Sequence, residues 1–528
     1  MILINSAAYV NSDLISEFGK LPPAMLPVQN KRLYEHQSYL LESIQKKDNV
    51  YITFPQSYKK ELSNLDKVKL KELKITPIYI QDNLNLGQAI VYALNYIGKY
   101  NESLIMIHGD TLFDELVNKF ECFSCSNNID DDYHWDKLNS TDNEIFTGYF
   151  KINNQCDYIR YLTVENYNFI NATIKYIKNF KVKGVYLKGW KDFGHINTYY
   201  RSISKMTTER SFNSLKVVEN SIMCKSSSDV NKMIAEKNWF KYIPNILQCY
   251  TPKLYDIELD KSNNAEQYCM EYMYIPSLSN LFVFGKNPIF VWKDIINSCK
   301  DYINKEYCTS LNEFHTKNIK DCDIVNKNDK MYYNKTLKRL KNTNIDLNTN
   351  WKINGENVPS INSILCELDK NIHKHNDKYC SIVHGDFCFS NILYDFKSKS
   401  IKLVDPRGRD SDGNLSIYGD IRYEVAKLAH SVIGLYDFIV AERYYYSENK
   451  NELNLTFEQN PNISTIQQWF INQTFCDFNF NELDVYNIMI HLFLSMIPLH
   501  SDCPNRQKAF LANALRLYVE YKNKYFNN

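Results

Sequence analysis

The chain has 528 residues, with 62 Lys+Arg against 61 Asp+Glu and a formal charge of +1. A hydrophobic content of 44% beside 23% charged residues excludes wholesale disorder and collagen-like or coiled-coil designs. The even charge excludes a chain built mainly to grip nucleic acid, which carries a basic surplus, and at roughly 100–200 residues per domain the length predicts two to four domains.

In chain order, Met1–Ile4, Val50–Phe54, Thr76–Ile80 and Leu104–Ile107 read as buried strands. Met1–Ile4 has no basic run before it and no cleavage site after it, so it reads as a strand and not a secretory leader. Between the strands, Gln88–Ile97 places Ala89, Ile90, Ala93, Leu94 and Ile97 on one helical face. Strand and helix in alternation predict βαβ units and a largely parallel sheet with helices on both faces. Ligands of such sheets bind at the carboxyl ends of the strands. Cys122 and Cys125 form a lone CxxC with no second pair at zinc-ribbon spacing and read as plain thiols. Fourteen Cys without an export signal predict reduced thiols and a cytoplasmic location.

The pattern changes near Phe212. Strand-like Lys216–Lys225 and Gln267–Ile275 bracket a helix over Val230–Tyr242. Beyond Pro288 most segments read as helical, apart from a compact β-like passage over Ser381–Val404. The apolar stretch Val485–Leu499 falls short of the ~20 residues of a membrane span. It also contains Asn487, His491 and Pro498, so it reads as a buried helix, with no stable membrane insertion. The predicted organisation is one domain over 1–205, a small mixed lobe over 212–285 and a helical lobe over 286–528, with the first boundary in the polar stretch Arg201–Arg210.

The segment from His384 to Gly408 carries the clearest chemistry. It reads His384-Gly-Asp386-Phe-Cys-Phe-Ser-Asn391, then Ile401-Lys-Leu-Val-Asp405-Pro-Arg-Gly408. Phosphoryl transfer to a hydroxyl needs a carboxylate to accept the proton, and a carboxylate and an amide to hold the Mg²⁺ that bridges the nucleotide phosphates. Asp386 suits the first task, while Asn391, five residues on, and Asp405, nineteen residues on, suit the metal. His384 braces the loop. Upstream, Lys225 ends a strand-like run and Glu236 lies on the next helix, the arrangement of the ion pair that positions nucleotide phosphates. Asp420 is placed to cap the helix that follows. The aromatic stretch Tyr436–Tyr446 reads first as packing and second as a wall of the acceptor pocket.

From about Phe212 to the C-terminus, these motifs resemble the aminoglycoside and choline kinase family. That family's catalytic loop reads His-Gly-Asp with Asn at the fifth position, and its metal Asp lies on the next hairpin. The resemblance implies ATP and Mg²⁺ as cofactors, Asp386, Lys225 and Glu236 as catalytic residues, and Asn391 and Asp405 as metal ligands. It also makes Cys269–Ile275 the hinge that meets the adenine.

The first domain resembles the sugar-phosphate nucleotidyltransferase family at four places. These are Leu21-Pro-Pro-Ala-Met-Leu-Pro27-Val, Leu86-Gly87-Gln-Ala89, Leu104-Ile-Met-Ile-His-Gly109-Asp110 and Gly189-Trp190-Lys-Asp192-Phe-Gly194. The resemblance implies Asp110 and Asp192 as Mg²⁺ ligands, Gly87 against the base, and an NTP as cofactor, CTP being one candidate. Ser6, Ala7 and Ala8 occupy the place of the family's Gly-rich phosphate loop and can form a nest of backbone N–H groups. The sequence departs from the family there: no Arg precedes Arg32, and the signature Lys is Pro23, which leaves Lys20 as a substitute.

Together the resemblances imply an α/β N-terminal domain with a Rossmann-like nucleotidyltransferase sheet and an α+β, bilobal, protein-kinase-like C-terminal domain. The function they imply is bifunctional: phosphorylation of a small hydroxyl-bearing metabolite, then its activation as a nucleotide conjugate for capsule or surface-polysaccharide biosynthesis. The alternatives are a small-molecule kinase with a degenerate nucleotide-binding module, or a non-catalytic nucleotide-binding scaffold. The partner is a small hydroxyl or phosphate substrate, with no nucleic acid, and nothing in the sequence fixes an oligomeric state.

Overall fold

A computed structural model describes the chain except residues 43, 45–48, 128–136, 138–143, 207–212, 220, 256–265, 318–331, 374–376, 459–460 and 527–528. It divides into two compact units, Met1–Met206 with Phe284–Lys286, and Thr207–Val283 with Asn287–Asn528. The expected start of the second domain at residue 212 lies outside the described residues.

The first unit is built on a seven-stranded sheet of Ile2–Asn5, Val50–Pro55, Ile75–Ile80, Leu104–His108, Cys122–Ser126, Ile145–Ile152 and Lys183–Val185. Numbered along the chain within this sheet, the strand order is 3-2-1-4-6-5-7. Only Ile145–Ile152 runs against its neighbours, so the sheet is largely parallel, an α/β architecture. The central strands are apolar without alternation because both faces are covered, the signature of buried parallel strands. The helix Leu86–Ile97 starts on a capping box formed by Asn85 and Gln88 and buries Ala89, Ile90, Ala93 and Leu94 against the sheet, the face read from the sequence. Cys122 and Cys125 are buried thiols whose pKa values burial pushes up to about 11 and about 12.

The second unit opens with an antiparallel sheet of Asn213–Glu219, Ile222–Ser227, Glu266–Glu271 and Leu254–Tyr255, crossed by the helix Val230–Tyr242. The expectation of uniformly reduced thiols fails here. Cys224 and Cys269 face each other across neighbouring strands, with Cα atoms 4.1 Å apart, and form a disulfide. The strand predicted over Gln267–Ile275 ends at Glu271.

The remainder is mostly helical. Its core includes Val485–Met496, whose residues Val485–Ser495 are all buried, as expected of a central helix. Among the described residues, no helix is long and apolar enough to cross a membrane. A second four-stranded sheet, of Trp351–Ile353, Glu356–Val358, Glu452–Thr456 and Tyr445–Asn449, was not anticipated by the sequence reading. It takes Tyr445 and Tyr446 out of the aromatic stretch proposed as a pocket wall.

The passage Ser381–Val404 folds into two small strand pairs. Cys380–Ile382 pairs with Tyr418–Asp420, and Ile392–Asp395 with Ser400–Leu403. Asp405 follows the second hairpin with a left-handed backbone, and Gly408 lies just beyond it. Gly408 has φ +64°, and a Cβ there would sit 2.0 Å from the Ala235 carbonyl oxygen. The close approach seats the metal-loop segment on the helix that carries Glu236. Gly413 has φ +93° but nothing within 4 Å of its Cβ position. Gly413→Ala therefore carries only the left-handed penalty of about 1–2 kcal/mol. Gly408→Ala adds a backbone clash, and its urea unfolding midpoint should fall clearly below that of Gly413→Ala.

Candidate active sites

In the second unit three elements converge on one ammonium. Lys225, on the strand Ile222–Ser227, places Nζ 2.6 Å from Glu236 Oε2 and 2.8 Å from Asp405 Oδ1. Lys225 and Glu236 are only 1% and 2% exposed at their side chains, whereas Asp405 is 41% exposed. Tyr268 donates a further hydrogen bond to Glu236 at 2.8 Å. Burial opposes the charge on Lys225, but the two carboxylates overrule it and raise its pKa above the ordinary value. Strand, helix and the segment of Asp405 are thus fastened at one point; the Lys225–Glu236 pair is the one expected from the sequence, and the contact with Asp405 is additional.

The catalytic-loop residues also come together. The Asn391 side-chain amide donates to the Asp386 carbonyl at 2.9 Å and to Asp386 Oδ2 at 3.0 Å. The Asn391 carbonyl oxygen accepts from the Ser390 hydroxyl at 3.3 Å and keeps a second lone pair for a ligand. His384 is fully buried, and burial lowers its pKa to about 4. Its ring bonds the Val404 carbonyl at 3.0 Å and accepts from the Asp386 N–H at 3.3 Å, so it braces the loop and stays neutral. Glu424, from the helix Ile421–Val432, accepts from the His384 and Gly385 N–H groups at 3.2 and 2.7 Å. Asp420 caps that helix through the Arg422 N–H, as expected.

The loop motif gave no sign of Lys427. Its Nζ lies 2.7 Å from Asp386 Oδ1. Burial alone would raise the Asp386 pKa, but Lys427 and then Arg407 overrule it and hold the carboxyl well below the usual range. Asp386 is therefore ionised at neutral pH. A single helical turn after Glu424, facing the loop, was the available signal.

The donor set fits Mg²⁺. Asn391 and Asp405 offer hard oxygens, and Mg²⁺ is usually held by one or two carboxylates together with substrate phosphates rather than by a full protein cage.

In the first unit, Asp110 follows the strand Leu104–His108, and Asp192 lies on a short strand paired with Thr111–Leu112. A Cβ at Gly194 would fall 2.9 Å from Asp110 Oδ2 and 3.4 Å from Asp192 Oδ1, so both acids face one glycine. Burial and then Asp192 push the Asp110 pKa up to about 7. Two carboxylates held against each other at a strand end are the donors a divalent cation would relieve. Asp192 is oriented by His195, whose Nδ1 lies 3.0 Å from Oδ2, and by Thr198, neither of which the motif reading singled out.

The phosphate-loop expectation needs correction at Ser6. Its N–H donates to Thr53 Oγ1 at 2.8 Å, and its hydroxyl accepts from the Ala24 N–H at 3.0 Å. Both groups serve the fold, so an anion nest there reduces to Ala7 and Ala8. Gly87 is buried, and a Cβ there would lie 2.2 Å from the Tyr167 carbonyl oxygen, so the packing of Tyr167 already demands a glycine. Lys20 rests on the Tyr9 ring, 4.2 Å from its centroid.

No protein-family model and no curated protein sequence matches the chain. Solved structures resemble its two parts separately. A nucleoside-diphosphate-sugar pyrophosphorylase from Vibrio cholerae RC9 is 14% identical over 38% of this chain and 99% of its own, with a TM-score of 0.31. UDP-glucose pyrophosphorylase complexed with UDP-glucose is 14% identical over 39% of this chain and 97% of its own, with a TM-score of 0.29. The GDP complex of aminoglycoside 2'-phosphotransferase-IIIa is 12% identical over 60% of this chain and 91% of its own, with a TM-score of 0.36. At these identities the likeness concerns the fold alone.

Lys225→Met should cost about 3–5 kcal/mol of unfolding free energy, because it leaves Glu236 buried without its counter-ion. The double variant Lys225→Met/Glu236→Gln should recover most of that loss. Denaturant unfolding of the two variants checks this; equal stability of the single variant and wild type would mean the pair carries no such constraint.

Proposed function

We propose that the chain is a bifunctional enzyme: an ATP-dependent kinase of a small hydroxyl compound in the second unit, and a nucleotidyltransferase in the first. The observation that carries the kinase reading is the pair of constellations, Lys225–Glu236–Asp405 and Asp386–Asn391, of which Glu236, Asp405, Asp386 and Asn391 line one cavity. Lys225 would hold the nucleotide phosphates, and Asn391 and Asp405 would hold Mg²⁺, which would supply charge neutralisation at the phosphates. Asp386 receives the acceptor hydroxyl as a hydrogen-bond donor and takes its proton as the new oxygen–phosphorus bond forms and the bond to ADP breaks. With its pKa held low, Asp386 acts more by orienting the hydroxyl than by basic strength, which suits a loose phosphoryl transition state.

The nucleotidyltransferase reading is supported by the convergence of Asp110 and Asp192. They would hold Mg²⁺ against a nucleoside triphosphate, CTP among the candidates, while a phosphate monoester attacks the α-phosphorus and pyrophosphate leaves. The kinase product is such a monoester, which makes the fusion chemically coherent. A capsule or surface-polysaccharide destination for the conjugate follows from the resemblance alone. A second reading, a kinase with a nucleotide-binding N-terminal module, draws on the occupied Ser6 N–H and on the missing phosphate-loop cations.

Asp386→Ala should lower ADP formation by on the order of 10²–10⁴, measured with ATP, Mg²⁺ and hydroxyl acceptors. Near wild-type turnover would end the kinase assignment. Asp110→Ala should abolish pyrophosphate release from a pre-phosphorylated substrate while leaving Asp386-dependent ADP formation in place. Pyrophosphate release absent from the wild type with every NTP would leave the single-activity reading.

A further inference from the structure

We propose that the kinase acceptor is an anion: a hydroxyl compound that carries its own carboxylate or phosphate, held by Lys335 and Arg339 in a field that Arg407 and Lys427 reinforce. The inference rests on the kinase reading for the word acceptor, but the anion site itself stands on the geometry of the cavity.

The cavity that contains Asp386, Asn391 and Asp405 measures about 580 Å³, within the usual range for small-molecule sites. Its charges are segregated. At the nucleotide end, Glu236 and Asp405 take up Lys225, and Lys232 adds to Glu236. Beyond Asp386, cations gather around one aromatic ring. Arg407 lies 4.7 Å, Lys335 5.7 Å and Lys427 6.0 Å from the Tyr423 centroid, and Arg407 donates to the Tyr423 hydroxyl at 2.8 Å. Arg339 stands one helical turn from Lys335 on Tyr333–Leu340.

Two of these cations, Lys335 and Arg339, have no ion pair among the described residues. Asp386 is engaged by Lys427 at 2.7 Å. Glu424 spends its two oxygens on the His384 and Gly385 N–H groups. Asp410 accepts from the Asp412 and Asn414 N–H groups within its own loop. Lys335 has no hydrogen bond or ion pair among the described residues, and Arg339 meets only the Ser495 carbonyl, at 3.2 Å. Burial first, and then the charges of Arg407, Arg339 and Lys427, push Lys335 well below its ordinary pKa. A site of this kind repels an amine and gains from an oxyanion, which would neutralise the cluster and receive hydrogen bonds from two or more cationic donors. The charge also answers a need of the reaction, since an anionic acceptor must approach an already negative triphosphate.

The test uses the full chain and two measurements. Equilibrium binding of inorganic phosphate and of glycerate is compared in wild type, Lys335→Met, Arg339→Ala and Asp386→Asn. Steady-state ADP formation is compared for acceptors of matched skeleton: glycerol, glycerate, glycerol 3-phosphate and serinol, then glucose, gluconate, glucose 6-phosphate and glucosamine. Binding of both anions should weaken roughly 10-fold or more in Lys335→Met and Arg339→Ala and should persist in Asp386→Asn. Turnover should favour anionic over neutral and amine acceptors. The loss in Lys335→Met should fall on the acceptor KM and not on that for ATP. A melting temperature for Lys335→Met no lower than wild type is also expected, since the substitution removes a half-buried charge that has no ion pair among the described residues. Preference for carboxylates over phosphates, or the reverse, identifies the anionic group. Anion binding indifferent to Lys335 and Arg339 overturns the proposal, as does preferred turnover of serinol or glucosamine. A rise in the ATP KM with an unchanged acceptor KM would overturn it as well and reassign the cluster to the nucleotide. If no acceptor is phosphorylated while Lys335-dependent anion binding holds, the kinase reading fails and the anion site stands.

Discussion

The buried contact of Lys225 with Glu236 and Asp405 is the constraint on which the second unit depends. A lysine and a glutamate at 1% and 2% exposure have given up nearly all hydration, and only their mutual placement makes that tolerable. The placement fixes three otherwise independent elements: the strand Ile222–Ser227, the helix Val230–Tyr242 and the segment after Ser400–Leu403. Gly408 completes the arrangement, because only a residue without Cβ can lie against the Ala235 carbonyl and keep Asp405 within reach of the ammonium. Disturbing any one of the three leaves a charge without its partner in a region from which water is excluded.

From that anchor the cavity develops as a gradient of charge. Acids and cations are paired near Asp405, where Glu236 and Asp405 meet Lys225 and Lys232, and cations gather on the far side of Asp386. Asp386 stands at the boundary, bonded on one side to Asn391 and on the other to Lys427. Its depressed pKa is the electrostatic record of that position. The neutral His384, buried among Trp239 and Phe387, supplies rigidity without adding to either side of the gradient. Position and charge are thus set by different residues, which lets the acceptor end vary without disturbing the loop.

The first unit sets the opposite electrostatic problem. Asp110 and Asp192 are brought face to face with only His195 beside them, while groups at the phosphate loop are committed to packing. Ser6 holds Thr53 and Ala24, and Lys20 lies on Tyr9. A bound divalent ion would resolve the repulsion between the acids. It would not by itself replace the two positive charges that the related signature places on the triphosphate.

What could be read from the sequence follows from how local each cause is. The buried strands and the helix Leu86–Ile97 were legible because burial on a sheet leaves its period in consecutive residues. The loop from His384 to Asp405 was legible because its chemistry is compressed into a short span. The second sheet was not, although Asn354-Gly355 between Trp351–Ile353 and Glu356–Val358 is a two-residue hairpin signal, with φ +50° and +90° at the turn. Strands of three residues are too short to show alternation, and their other partner, Glu452–Thr456, arrives about a hundred residues later. The disulfide was hidden for the same reason: only strand register places Cys224 opposite Cys269.

The cation cluster is the extreme case of this. Lys335, Arg339, Arg407 and Lys427 come from two helices and a loop, and along the chain each reads as an ordinary surface charge. A catalytic motif stays legible because the reaction fixes both residue type and spacing. An acceptor pocket is fixed only by the shape and charge of its ligand, which any element lining the cavity can satisfy. The part of the site that decides specificity therefore becomes visible only when the fold assembles it.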